Sequence, residues 1–219
     1  MDALQRFAQI RQHLIDQGVT LVAVSKFRTP DEILARYQLG QRDFGENRVQ
    51  ELLQKRDQLP ADIRWHLIGH LQTNKVRAIV PFVHLIHSGD RLKLLRKIND
   101  EATRIGRIVP VLLQAKVAQE ETKHGFRPDE LADKALLDEI RALDHVRISG
   151  LMGMASLTPD RAQVRDEFQR LKDLYDRLAP FFGTDFRHLS MGMSGDYELA
   201  IEAGANMVRL GSILFAGPS

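Results

Sequence analysis

LVAVSKFRTP, residues 21–30, opens with four apolar residues and then delivers a lysine. Leu21 to Val24 read as a strand buried on both faces, the pattern of a parallel sheet covered by helices. Ser25 and Lys26 follow where the chain leaves the sheet. Thr29-Pro30 then sets a capping hydroxyl before a proline suited to the first turn of a helix. A strand, a polar turn and a helix start thus lie within one short stretch.

The same unit recurs along the chain. Apolar runs that end in polar residues or glycine occur at TLVAVSK (20–26), RDFGEN (42–47), RWHLIGH (64–70) and FVHLIHSGD (82–90). The second half adds IVPVLLQAKV (108–117), VRISGLMGM (146–154), RHLSMGMS (187–194) and MVRLGS (207–212). Between them, helical spacing marks PDEILARYQL (30–39), ENRVQELLQKRDQ (46–58), DRLKLLRKINDEATRI (90–105), PDELADKALLDEIRAL (128–143), TPDRAQVRDEFQRLKDLYDRLAP (158–180) and SGDYELAIEAGA (194–205). Thr158-Pro159 repeats the helix-start signal, and Gly40 and Gly204 mark helix ends. Residues 2–17 read as an extra helix before the first strand. Eight strands alternating with helices predict an α/β fold, a single (β/α)8 TIM-type barrel domain over residues 1–219. An open doubly wound sheet is the alternative, weakened because no GxGxxG follows the first strand.

Composition excludes several classes of function. Lys plus Arg (31) nearly balance Asp plus Glu (29), and no basic run stands out, so no nucleic-acid partner is expected. The chain has no cysteine, which removes disulfides, thiolate metal sites and a cysteine nucleophile together. MDALQRFAQI lacks the apolar core of a secretory signal, and no apolar stretch approaches the length of a membrane span. A soluble cytoplasmic protein with no membrane partner is the expectation.

Barrel active sites collect at the carboxyl ends of the strands. Reading those ends gives Lys26, Glu46 and Asn47, His66 with His70, His87 and Ser88, Gln114, Met152, Ser190 to Ser194, and Arg209 to Ser212. In SMGMSGDYELAI, Ser194 and Gly195 directly precede a helix, where exposed N–H groups favour an anion. RLGS adds Gly211 and Ser212 on the next strand. Taken singly, Ser194 is equally a cap and Gly211 equally a turn residue. Two such loops on consecutive strands point to a phosphate. Lys26 is either a strand-end lysine reaching to solvent or an amine that condenses with a carbonyl. A ligand carrying both a carbonyl and a phosphate would use both features. His66-x-x-x-His70 has a metal-like spacing, but Gly69 intervenes and His66 belongs to a strand, so no metal is expected. Met152 and Met154 alternate as barrel-filling strand residues do.

AVSK with a proline four residues after the lysine, FGENRVQE, WHLIGHLQTNK, HSGD, GLMGM, LSMGMSGDYELAI and VRLGS occur in this order. Together, from about residue 20 to residue 215, they resemble the YggS/PROSC family of pyridoxal-phosphate homeostasis proteins. The resemblance implies a barrel like the N-terminal domain of alanine racemase, with pyridoxal 5′-phosphate (PLP) at its mouth. It implies that Lys26 forms the internal aldimine, that Ser194, Gly211 and Ser212 hold the phosphate, and that Arg209 lies beside the pyridine nitrogen. Asn47, His66 and Met152 match positions lining the cofactor pocket. PLP-dependent apo-enzymes and free amino acids are the implied partners, and a monomer the expected state. Gly89, Lys116 and Ala216 depart from the family pattern without touching Lys26 or the phosphate loops.

The chemistry of these residues favours holding the cofactor over using it. PLP works best as an electron sink when its ring nitrogen is protonated opposite an acid. An arginine only donates. A racemase also needs acid/base groups on both faces of its substrate, and Tyr37, Tyr175 and Tyr197 are the only tyrosines. A cofactor binder or carrier is the leading expectation. The alternatives are a PLP-dependent racemase or eliminase of low activity, and a cofactor-free aldolase-like barrel using Lys26.

Overall fold

The computed structural model describes residues 2–118 and 124–215. Eight parallel strands, β1 (Thr20–Val24), β2 (Asp43–Glu46), β3 (Arg64–Leu67), β4 (Leu85–Gly89), β5 (Val109–Gln114), β6 (Val146–Met152), β7 (His188–Ser190) and β8 (Met207–Leu210), pair in chain order, and β8 returns to β1. The helices are α1 (Ala3–Asp16), α2 (Pro30–Gln38), α3 (Val49–Arg56), α4 (Val76–Ile79), α5 (Leu92–Arg104), α6 (Lys134–Arg141), α7 (Arg161–Phe182), α8 (Tyr197–Glu202) and α9 (Ser212–Phe215). This is the expected α/β barrel with an additional N-terminal helix, which packs against β1 and α9.

Strand periodicity divides the core in two. Leu21 and Ala23, Phe44, Trp65 and Leu67, Ile86, Leu189, and Val208 and Leu210 join the large cluster between sheet and helices. Val22, Leu85, Leu112, Met152 and Met207 form a separate small cluster. These residues alternate with the first set and therefore face the barrel axis. The interior is completed by polar groups, since His66, His87, Ser190 and Arg209 are all buried. A barrel axis this polar is unusual filling, because buried polar groups must find partners to offset desolvation.

All eight apolar runs contain a strand. α2 begins as anticipated: Thr29 Oγ1 accepts from the Glu32 N–H at 3.2 Å, and Glu32 returns a carboxylate oxygen to the Thr29 N–H at 2.8 Å. α7 begins later than Thr158-Pro159 suggests. Asp160 is its cap, accepting from the Ala162 and Gln163 N–H groups, while Thr158 Oγ1 accepts from the Asp160 N–H. Between β3 and β4 lie a 3-10 turn (Thr73–Lys75) and the single-turn α4, neither long enough to impose a readable period.

Glycine is required where strands press together. A Cβ on Gly150, whose φ is +147°, would sit 1.8 Å from the His188 carbonyl oxygen of β7. Gly89 lies at a register shift between β4 and β5, where a Cβ would stand 2.7 Å from the Leu112 oxygen. The departure from family pattern at Gly89 is thus accommodated by close strand approach. Ala216 lies outside the described residues. Among the described residues no helix is long and apolar enough to cross a membrane.

Candidate functional site

Lys26 stands at the carboxyl-terminal rim, one residue beyond the buried Ser25. Its side chain is exposed and makes no hydrogen bond or ion pair among the described residues. The segment carrying it is far from loose. Ser25 N–H donates to the Gly45 carbonyl of β2 at 2.9 Å, and Ser25 Oγ donates to Glu46 Oε1 at 2.6 Å. Lys55 of α3 donates from Nζ to Ser25 O at 2.7 Å and to Glu46 Oε1 at 2.8 Å. Burial outweighs these hydrogen bonds and the Lys55 charge at Glu46, whose carboxyl pKa is raised above its ordinary value.

The loops after β7 and β8 meet as their sequences suggest. Ser194 Oγ accepts from the Gly211 N–H at 3.2 Å, tying one loop to the other. Its own proton has no acceptor among the described residues, and neither do the N–H groups of Gly195, Ser212 and Ile213. Ser194, Gly195 and Ile213 share the lining of a cavity of about 180 Å³ with Arg161 and Tyr197. Asp196 also borders it, but its Oδ1 is committed to the Met193 N–H at 2.6 Å. Uncommitted backbone and hydroxyl donors converging on one concavity are the fittings of an anion site. The second loop is fixed from behind, where Arg36 Nη2 donates to the Leu214 carbonyl at 3.1 Å.

Arg209 of β8 is buried inside the barrel. Its Nη1 donates to Ser190 O at 2.9 Å and Ser190 Oγ at 2.6 Å, and its Nη2 donates to Gly153 O at 3.0 Å. Three of five guanidinium N–H groups are thereby used. Burial lowers the Arg209 pKa to about 10, which still leaves it charged and donor-only at neutral pH.

From Arg209 a chain of hydrogen bonds runs down the barrel axis. Ser190 Oγ lies 3.1 Å from His87 Nδ1, His87 Nε2 lies 2.8 Å from His66 Nδ1, and His66 Nε2 lies 3.0 Å from Asp43 Oδ1. Arg64 closes the far end with two hydrogen bonds to Asp43, at 2.7 and 2.5 Å. Arg209 donates to Ser190 Oγ, and the Asp43 carboxylate accepts from His66 Nε2. With the His66 ring neutral, His87 Nε2 donates to His66 Nδ1 and the Ser190 hydroxyl to His87 Nδ1. Burial, aided by the positive neighbours, pushes His87 well below its ordinary pKa and favours its neutral form. Burial alone would raise Asp43, but hydrogen bonds from Arg64 and His66 hold its carboxyl well below the usual range.

Of the residues singled out from sequence, Lys26, Ser194, Arg209, Gly211 and Ser212 fall at the carboxyl-terminal ends of β1, β7 and β8. Asn47 follows β2, half-buried, with its amide uncommitted among the described residues. His66 sits deeper and is joined to Arg209 only through His87 and Ser190. Met152 belongs to the axial apolar cluster with Val22 and Met207. His70 is apart from His66, bonding through Nδ1 to Asp90 at 2.9 Å and stacking on His124. Lys55 and Asp43 escaped sequence reasoning. Lys55 and Glu51 are an i,i+4 pair that reads as a solvated helix face, and only the fold turns that pair toward Ser25.

The family model for the alanine racemase N-terminal domain matches residues 2–218. A pyridoxal phosphate homeostasis protein of Aquifex aeolicus is 41% identical over 196 residues, spanning 89% of this chain and 85% of that protein. The chain belongs to the pyridoxal phosphate homeostasis family. PipY of Synechococcus elongatus, solved without PLP, superposes with a TM-score of 0.90 at 37% identity, covering 97% of this chain and 99% of that one. PipY with PLP bound gives 0.87 at 36% identity, covering 98% and 100%.

Proposed function

We propose that this protein binds pyridoxal 5′-phosphate at the carboxyl-terminal mouth of its barrel and serves intracellular PLP homeostasis by storing, buffering or delivering the cofactor. PLP offers an aldehyde that links to an amine and a pyridine ring that withdraws electrons. The residues present suit such a group. Ser194, Gly195, Ser212 and the Ile213 N–H supply donors for a phosphate, with Gly211 joining their loops. Arg209 supplies a donor for a ring nitrogen, and Lys26 supplies the amine for a Schiff-base linkage. Asn47, His66 and Met152 would complete the lining of its pocket.

The observation that carries a binder over an efficient enzyme is the fixed Arg209. Held by Ser190 and Gly153, this donor-only group can give a hydrogen bond to the ring nitrogen but take no proton from it. No second base stands opposite Lys26 in this reading. Tyr37 and Tyr175 point their hydroxyls to Asp62 and to the Phe186 carbonyl. Tyr197 borders the anion cavity, and burial and Glu198 raise its pKa above that of an ordinary tyrosine, which keeps the phenol protonated and not available to take a proton. The reading takes the chain as a cytoplasmic monomer that passes PLP to apo-enzymes or yields it to free amino acids.

The test is to load the purified protein with PLP, reduce with borohydride and locate the label by mass spectrometry. Label on Lys26, absent in Lys26→Ala, is the expected result. Label retained in that variant, through Lys75 or through Lys123 (which lies outside the described residues), would refute the assignment of Lys26. Rapid exchange of an amino acid's α-proton into deuterated solvent would replace the binder with a racemase or eliminase.

A further inference from the structure

Phe27 has φ of +63°, the one positive value outside glycine among the described residues. The side chain is 74% exposed, so packing does not impose that backbone conformation. The Ser25 carbonyl accepts from the Arg28 N–H at 3.0 Å, closing a four-residue turn with Lys26 second and Phe27 third. A positive φ at the third position and not the second is the type II pattern, a place suited to glycine or asparagine. An aromatic residue there is strained. Such strain persists only where the surroundings over-determine the backbone, and it concentrates at functional sites.

The surroundings converge on one helix. Lys55 Nζ is buried and donates to Ser25 O (2.7 Å), Glu46 Oε1 (2.8 Å) and Glu51 Oε1 (2.7 Å), which uses all three of its N–H groups. Glu51 Oε1 also accepts the Phe27 N–H at 2.6 Å. The carbonyl before Lys26 and the N–H after it are therefore both tied to a single ammonium–carboxylate pair of α3. Glu46 contributes a second anchor through Ser25 Oγ, and its Oε2 is buried without a partner. The Lys26 side chain, beside the exposed Phe27, is left without a hydrogen bond or ion pair among the described residues.

We propose that Lys55, acting with Glu51, is a positioning residue that holds Lys26 on a strained turn so that its amine meets the aldehyde carbon of the bound cofactor. This rests on the PLP reading. In the linkage a C=N bond to Lys26 Nζ replaces the C=O bond, and the departing water carries the carbonyl oxygen and both hydrogens of the neutral amine. No oxidant or reductant is involved. What Lys55 and Glu51 supply is the direction of approach, set through two backbone groups rather than through contact with the ligand. The two bonds to Lys55 and Glu51 keep the strained turn from relaxing into a conformation that points the lysine elsewhere.

The experiment follows the rate at which borohydride-trappable label appears on Lys26 after PLP is added to apo-protein, beside the thermal midpoint of each apo-variant. Lys55→Met should slow labelling at least tenfold, and Lys55→Arg should recover part of the loss. Glu51→Ala removes the acceptor of the Phe27 N–H and should slow labelling several-fold. Phe27→Gly keeps the clamp and relieves the strain, so it should raise the midpoint by roughly 1–3 °C and label at the wild-type rate. A purely structural clamp predicts Lys55→Met and Glu51→Ala proteins that label at the wild-type rate, and that result would overturn the proposal. Glu51→Ala, at a partly exposed side chain, decides the matter alone should Lys55→Met fail to fold. Normal labelling of wild type and of both clamp variants overturns positioning but leaves PLP binding intact. No label on wild type overturns the PLP reading, and this proposal with it.

Discussion

Lys26 is unusual among the site residues in owing nothing to its side-chain contacts. Replacing it by alanine removes an exposed side chain with no hydrogen bond among the described residues, so Lys26→Ala should unfold in urea within about 0.5 kcal/mol of wild type while losing all borohydride-trapped label. Ser190 is the opposite case. It is fully buried, accepts from Arg209 and is hydrogen-bonded to His87 Nδ1. Ser190→Ala leaves His87 Nδ1 without its partner and one Arg209 N–H without its acceptor. The expected cost is about 1–3 kcal/mol, read as a lowered denaturation midpoint. An unchanged midpoint would mean that water or side-chain rearrangement satisfies both groups. Lys26, Ser194 and Gly211 stand out in the sequence because each falls at the end of an apolar run. Ser190 and His87 were visible as polar strand residues, but their partners were not, since they lie 103 residues apart in the chain.

At the level of elements, the strands were easier to read than the helix starts. Runs such as LVAV and VLL carry their own burial signal, whereas Thr158-Pro159 and Asp160 both offer capping oxygens and only geometry chooses between them. The Thr29 cap of α2 is a clean case, with a reciprocal bond to Glu32. Thr29→Ala should destabilise the protein by about 1 kcal/mol, measured by chemical denaturation. Gly150 is far less forgiving. Any side chain there collides with the His188 carbonyl, and either the β6–β7 pairing or the barrel closure must give way. Gly150→Ala should therefore cost at least about 3 kcal/mol, seen as a collapse of soluble yield or of the unfolding midpoint. Wild-type stability in that variant would contradict the close approach of the two strands.

The whole barrel is organised around a polar axis, and that has a consequence for pH. Burial and positive neighbours hold His87 neutral in the folded protein, and burial likewise lowers His188 and brings His84 down to about 4. Below about pH 6.5 the unfolded chain protonates these histidines and the folded chain does not. The unfolded state then binds more protons, so stability falls as pH drops through this range and is insensitive to them above it. His87 alone contributes a slope of up to about 1.4 kcal/mol per pH unit. Glu46, with its raised carboxyl, works in the opposite sense. Urea titrations at pH 7.5 and near pH 5.5 should show the loss in wild type and a flatter response in His87→Gln, which keeps a donor and an acceptor but does not titrate. Parallel profiles would mean that His87 protonates in place.

What the sequence determined by itself was the barrel and the ring of polar residues at its mouth. Both follow from local regularities: apolar runs of strand length, polar breaks after them, and helical spacing between. Those signals depend on near neighbours in the chain, so no knowledge of distant contacts is needed to read them. Tertiary structure alone decided how the mouth is held. Barrel closure brings Arg209 of the last strand against Ser190 and Gly153, and carries their hydrogen bonding through His87 and His66 to Asp43. Packing of α3 on the first two strands turns Lys55, which the sequence leaves on an ordinary charged helix face, into the anchor beneath Lys26. Such partners are chosen by the burial of charged and polar groups that must be satisfied once water is excluded, and that demand arises only when the chain has closed on itself.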